Sequence, residues 1–208
     1  MRRGREIVER LRRELEPLNA AIIDHPYLRE AESGALPLEK VKRFAVNQLY
    51  IIPHDMRSIA HMLHRAEHPD EQSLFKGALD GDYAALAELR RLAAELGVSE
   101  AEEPDPEAVA YTHYLAWLSL YANPGEAAVA LVVNLPVWGR AVSRLGSALE
   151  RIYGIKETGL FKLFSVDYAP FEEAAYPVIE RYEAVGRYSL VAKMIQRYEK
   201  MFWDAIYR

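Results

Sequence analysis

Apolar residues recur at intervals of three and four along almost the whole chain, and nowhere do they alternate with polar residues at intervals of two. The first spacing returns side chains to one face of a helix; the second is what a half-buried strand requires. A chain with only the first is confined to an all-α fold, in which helices bury their apolar stripes against one another. Ile7, Leu11, Leu15, Leu18 and Ile22 mark a first helix, with a kink expected at Pro17. Asp24-His25-Pro26 ends it, because the residue before a proline is pushed out of helical backbone. A short helix closing at Gly34 follows, then a long one opened by Pro37 and bent at Pro53. Further helices are expected at about 71–97, 105–122 and 125–153, with a short element near 157–165 and two more helices at about 170–185 and 187–207. Ala108 to Tyr121 is apolar or aromatic nearly all round, as suits a helix at the centre of a bundle. Seven or eight helices in 208 residues, with no repeat and no low-complexity linker, are expected to pack as one domain spanning residues 1–208.

The absence of cysteine removes whole mechanisms: disulfides, thiolate nucleophiles, iron–sulfur clusters and sulfur-ligated zinc. No apolar run approaches the roughly 18–20 residues that span a bilayer. The arginine-rich start passes straight into a charged helical pattern without the apolar stretch of a signal peptide. The expectation is a cytoplasmic protein with no membrane partner. A net charge of −5 disfavours nucleic acid as a partner. Arg2, Arg3, Arg5, Arg10, Arg12 and Arg13 cluster, but Glu6, Glu9, Glu14 and Glu16 interleave with them, as on a solvated face with intrahelical ion pairs.

Polar residues on apolar stripes are the candidates for function. In the last helix Val191, Ile195, Phe202 and Ile206 share one stripe, and Glu199 lies in its middle. A carboxylate there costs several kcal/mol unless it is paired or protonated. Glu199 is therefore either a structural ion pair or a functional group. In the long helix, Gln48 and Asp55 sit on the stripe of Val41, Phe44, Ile51, Ile59 and Met62, and each either bonds neighbouring backbone or faces a ligand. Asn134 is embedded in the apolar run from Val129 to Leu135, just before Pro136. Its amide either satisfies a carbonyl that the proline leaves free or points into a cavity.

His54, His61, His64 and His68 are expected on one helix; His64 and His68 stand four apart, but no carboxylate partner and no Glu-x-x-His pattern accompanies them, so no metal is expected. Tyr111, Tyr114, Trp117, Trp138, Phe202 and Trp203 either fill the core or wall a flat cavity.

Two stretches carry a resemblance to a known family. His25-Pro26-Tyr27-Leu28, Gly34-Ala35-Leu36-Pro37-Leu38-Glu39-Lys40 and the run to Tyr50 resemble the second-helix region of the TenA/PqqC family, and Tyr198-Glu199-Lys200-Met201-Phe202-Trp203-Asp204-Ala205-Ile206-Tyr207 is similar to the last helix of TenA proteins. The likeness covers nearly all of residues 18–208 and implies the heme-oxygenase-like helical bundle, usually without heme, around a central pocket. It implies no cofactor, a small nitrogen heterocycle as partner, and a homo-oligomer, dimer or tetramer. Glu199 matches the family's glutamate of the last helix, Gln48 stands where a pyrimidine-binding aspartate is expected, and Asn134 stands at about the position of the nucleophilic cysteine. Cysteine-dependent thiaminase chemistry is thus not expected, whereas binding of an aminopyrimidine is. Gln48 and Asn134 would then orient the ring, Tyr111 would stack on it, and Glu199 would act as acid, base or ring-nitrogen partner. The family's di-iron branch implies three ligands near residues 167–174; here Asp167 remains, with Phe171 and Ala174 at the other two positions. The alternatives are a non-catalytic binding or regulatory protein on the same fold and a metal-free oxidase of PqqC type.

Overall fold

Local signals account for where each helix starts and stops in the computed structural model, which describes residues 2–208. Among these residues there are nine helices and no strand: α1 (Arg2–Ile23), α2 (Pro26–Ser33), α3 (Leu38–Arg65), α4 (Pro69–Leu96), α5 (Ala110–Tyr121), α6 (Pro124–Arg151), α7 (Gly159–Phe164), α8 (Ala169–Arg181) and α9 (Tyr188–Tyr207). Prolines open α2, α4 and α6 at positions where a missing N–H costs nothing. The α2 helix closes at Gly34, whose φ of 76° is the left-handed conformation that only glycine adopts cheaply. His25 caps α2 by accepting from Tyr27 N (3.2 Å), and its other ring nitrogen meets Asp204 of α9 at 3.0 Å.

Three expectations about where helices begin and end are corrected. The fifth helix starts at Ala110 rather than near 105, because Asp105 holds a non-helical turn by accepting from Glu107 N (2.9 Å) while its own N–H donates to Asn47 Oδ1 (2.8 Å). The eighth ends at Arg181 rather than 185, where Gly186 N folds back to Tyr182 O. His68 is not on α3 with the other histidines; it precedes Pro69 as the N-cap of α4.

The centre of the bundle is α6, not α5. It packs against α1, α2, α5, α7, α8 and α9, and nearly every residue from Gly125 to Asn134 is buried. Among the described helices it alone is long and apolar enough to cross a membrane, and 67% of that stretch is buried inside the protein. The α5 helix instead covers one side of α3 and α9 and leaves Leu120 and Tyr121 exposed.

Charge on α1 ties helices together more than it decorates a surface. Intrahelical pairs exist, Arg2–Glu6 and Arg10–Glu14 among them, but the close contacts reach across: Arg3 to Glu183 (2.6 Å) and Arg12 to Glu172 of α8 through both terminal guanidinium nitrogens. Arg12 also donates to Val132 O of α6 at 3.4 Å. That carbonyl lies four residues before Pro136 and so has lost its helical donor.

Two buried glutamates act as staples. Glu71, in the first turn of α4, accepts from the N–H groups of Glu67 (3.1 Å) and His68 (3.3 Å) with one oxygen and from Arg181 (2.8 Å) and Tyr182 (3.0 Å) with the other. Glu126, at the same place in α6, closes a capping box with Asn123 and accepts from Arg187. Replacing Glu71 by Ala leaves two backbone donors and the Tyr182 hydroxyl without their acceptor, while Arg181 keeps Asp70 at 2.8 Å. It should cost about 1–3 kcal/mol in urea denaturation; a loss below about 0.5 kcal/mol would show that the staple carries little.

Candidate functional site

A cavity of about 320 Å³ lies where α3, α4, α5, α6 and α9 meet under the turn between α7 and α8. Its walls are mostly apolar, with Ile51, Ile52, Leu131, Trp138, Phe171 and Phe202 among them. Gly139 lets that turn settle on α6, since a Cβ there would stand 2.6 Å from Phe164 O and from the Tyr168 hydroxyl.

Glu199, Gln48, Asn134, Tyr111, Asp55 and Asp167 all line this cavity. Of the aromatics singled out from the sequence, Tyr111, Trp138 and Phe202 line it as well, whereas Tyr114, Trp117 and Trp203 do not. None of His54, His61, His64 and His68 reaches it, and no cluster of three or more His, Cys, Asp or Glu able to hold a metal occurs among the described residues. Asp167 sits at the exposed rim, where its Oδ1 accepts from Ala169 N (2.9 Å) at the start of α8.

Asn134 is held from three sides. Its carbonyl accepts from the Tyr111 hydroxyl (2.9 Å), and its amide donates to Gln196 Oε1 (2.9 Å) and to Glu199 Oε2. Both amide hydrogens are therefore used inside the protein, and the carbonyl freed by Pro136 is served by Arg12 instead. Asn134 thus fixes Glu199 Oε2 at the cavity wall. Gln48 differs: it is 4% exposed, lines the cavity and makes no side-chain hydrogen bond within the described residues, so its amide is available to a ligand.

The carboxyl groups here lack what Glu71 and Glu126 have. Glu199 is 2% exposed, with Asn134 and the more distant Trp203 Nε1 (3.4 Å) as its donors and no cation. Burial pushes its pKa up to about 8 against the pull of those two donors. Asp55, 9% exposed, has Oδ1 buried without a partner, and its pKa is driven well above the usual range, first by burial and then by the charge of Asp82. Asp82 on α4 is the lining residue that the sequence reading passes over. Its Oδ2 is likewise buried and unpartnered, and burial raises its pKa to about 7. By contrast, burial also pushes Glu126 up, but Arg187 and the backbone donors outweigh it and hold that carboxyl below its ordinary value.

Near neutral pH this cavity holds protonated acids that can donate a hydrogen bond or exchange a proton. The same groups set a pH dependence of stability. Folded Glu199 and Asp82 keep protons that the unfolded chain releases near 4.5 and 3.8, so the stability they confer is complete below those values and is lost as pH rises through about 7 to 8. Urea unfolding should show stability falling between pH 5 and pH 8, by up to about 1.4 kcal/mol per pH unit for each group. Glu199→Gln should flatten that decline; an unchanged slope in the variant would contradict the assignment.

Comparison with known proteins gives the family and the fold. The profile of the TENA/THI-4/PQQC family matches residues 12–208. No curated protein matches the chain by sequence. Among solved structures, a TenA homologue from Pyrococcus furiosus is similar with a TM-score of 0.82 at 20% identity, covering 97% of this chain and 100% of that one. A TenA homologue from P. horikoshii OT3 gives 0.77 at 22% identity over 97% and 98%. A TenA family transcription regulator from Silicibacter sp. TM1040 gives 0.76 at 18% identity over 95% of each chain. At such identities the likeness shows a shared fold.

Proposed function

The chain belongs to the TENA/THI-4/PQQC family, and on that footing we propose that its cavity binds a small nitrogen heterocycle of the aminopyrimidine kind found in thiamin. The observation that carries this is Glu199, a buried carboxyl fixed by Asn134, with a pKa near 8 and facing an apolar cavity. A neutral carboxyl offers one O–H donor and one carbonyl acceptor side by side, which matches a ring nitrogen next to an exocyclic amine. Gln48 supplies a second donor–acceptor pair, and Tyr111, Trp138 and Phe202 enclose the flat ring. Asp55 and Asp167 add to the polar lining, inside and at the rim.

What the cavity does to the ligand follows from the side chains that line it. No cysteine, serine, threonine, lysine or histidine does so, and the place where the family resemblance puts a nucleophilic cysteine is filled by Asn134, whose amide is fully engaged. This favours reversible binding, with Glu199 placed for proton transfer, over covalent chemistry through a thiolate. A ligand recovered unchanged after long incubation, by mass analysis, supports binding alone; a mass change dependent on Glu199 makes the protein an enzyme.

A thermal-shift titration with the aminopyrimidine fragment of thiamin tests the reading. At a hundred times its dissociation constant the ligand should stabilise the fold by about 2.7 kcal/mol. Glu199→Leu, which has neither donor nor acceptor, should abolish the shift while preserving the helical content, whereas Glu199→Gln keeps both and should retain part of it. No shift, or an equal shift in Glu199→Leu, would remove the pyrimidine from the account.

A further inference from the structure

The cavity carries four carboxyl groups, Asp55, Asp82, Asp167 and Glu199, and no lysine, arginine or histidine lines it. Ring recognition by Glu199 and Gln48 engages only one side. Asp55 and Asp82 stand on α3 and α4, the helix pair most extensively packed against each other. Tyr111 lies between the two acidic regions: its hydroxyl bonds Asn134, and its phenol is pushed up by burial first and then by the charges of Asp55, Glu199 and Asp82.

The Asp55–Asp82 side is built to be incomplete. Oδ1 of Asp55 and Oδ2 of Asp82 are both buried with no hydrogen-bond partner, and the Thr112 hydroxyl, which pulls Asp55 down, is outweighed by burial and by the charge of Asp82. Buried polar atoms are almost always satisfied, so orphaned acceptors on the wall of a cavity mark where a donor from outside belongs. The neighbouring face of α4 leaves room: a Cβ at Gly77 or Gly81 would meet nothing within 4 Å, and Ala78 and Ala84 add little bulk. The α3 side of this region is apolar, formed by Ile51, Ile52 and Ile59.

We infer that Asp55 and Asp82 form a subsite for the positively charged, N–H-rich group of an organic ligand, an ammonium or an amidinium. A metal ion fits less well, since among the described residues no third His, Cys, Asp or Glu joins the pair, and two carboxyl groups supply only part of the roughly six to eight oxygens that a hard cation takes. An ammonium or amidinium brings at least two N–H donors and one positive charge, so it satisfies an orphaned oxygen on each helix and balances the single negative charge of a pair that still holds one proton. The inference rests on the cavity being a ligand site and adds the charge of the ligand to that reading.

Calorimetric titration of the full chain with benzamidine and benzamide separates charge from shape, since the two share a ring and differ in carrying an amidinium or a neutral amide. Benzylamine run alongside distinguishes an ammonium preference from an amidinium one. At least one of the cations should bind about tenfold or more tightly than benzamide, and Asp82→Asn should remove that preference. Asp55→Asn serves as the second variant, with helical content measured for both. Glu199→Leu should keep the preference and lose binding of the neutral pyrimidine, which should survive Asp82→Asn. If neither cation outbinds benzamide, or if the preference persists in both aspartate variants, the subsite is refuted. Loss of pyrimidine binding alone, with the cation preference intact, would instead refute the ring recognition.

Discussion

A carboxylate deprived of water must find a cation, gather hydrogen-bond donors or keep its proton. The buried acids of this bundle divide along those lines. Glu71 and Glu126 take an arginine and several donors each, and in doing so fasten α4 to the end of α8 and α6 to the start of α9. Glu199, Asp55 and Asp82 face a cavity with no cation and keep protons far above the usual carboxyl range. The first group stabilises the fold; the second is tolerated by it, at a cost that grows with pH. That asymmetry is what makes the cavity chemically distinct from the rest of the core.

The division depends on contacts at some distance from the cavity. Pro136 removes a helical donor from Val132 O, and Arg12 of α1, itself fixed by Glu172 of α8, supplies one. Asn134 is thereby left to bridge Tyr111 of α5, Gln196 and Glu199. Gln196 passes the chain on to Asn19 of α1. Four helices thus converge on the orientation of one carboxyl, and a group held from so many sides loses little freedom when a ligand arrives.

Much of this was legible in the sequence because one rule served throughout: a polar residue at helical spacing within an apolar stripe is buried. It found Glu199 between Ile195 and Phe202, and Gln48 and Asp55 on α3, where the helix runs on through Pro53 and keeps its phase. The rule also applies to Asp82, which falls between Ala78 and Ala85 in a stripe running from Phe75 to Leu89. There the signal is diluted, because Gly77, Gly81 and Asp80 make the segment look like a solvated turn. Periodicity failed differently at α5. A helix apolar all round reads as central, yet Leu120 and Tyr121 are exposed and α6 holds the middle. Spacing reports which residues share a face, not which neighbour covers it. For the same reason the choice between two roles for Asn134 turned on Arg12, more than a hundred residues away in the chain.

The central claim is that Glu199 is a neutral acid at physiological pH. Carbon-13 NMR of the protein labelled at the glutamate carboxyl carbons, with the Glu199 signal assigned by its absence in Glu199→Gln, reads this directly. The account predicts a titration midpoint near 8. A midpoint near 4.5, the ordinary glutamate value, would mean that the carboxylate is charged in the cavity and that the case for a neutral hydrogen-bonding acid fails.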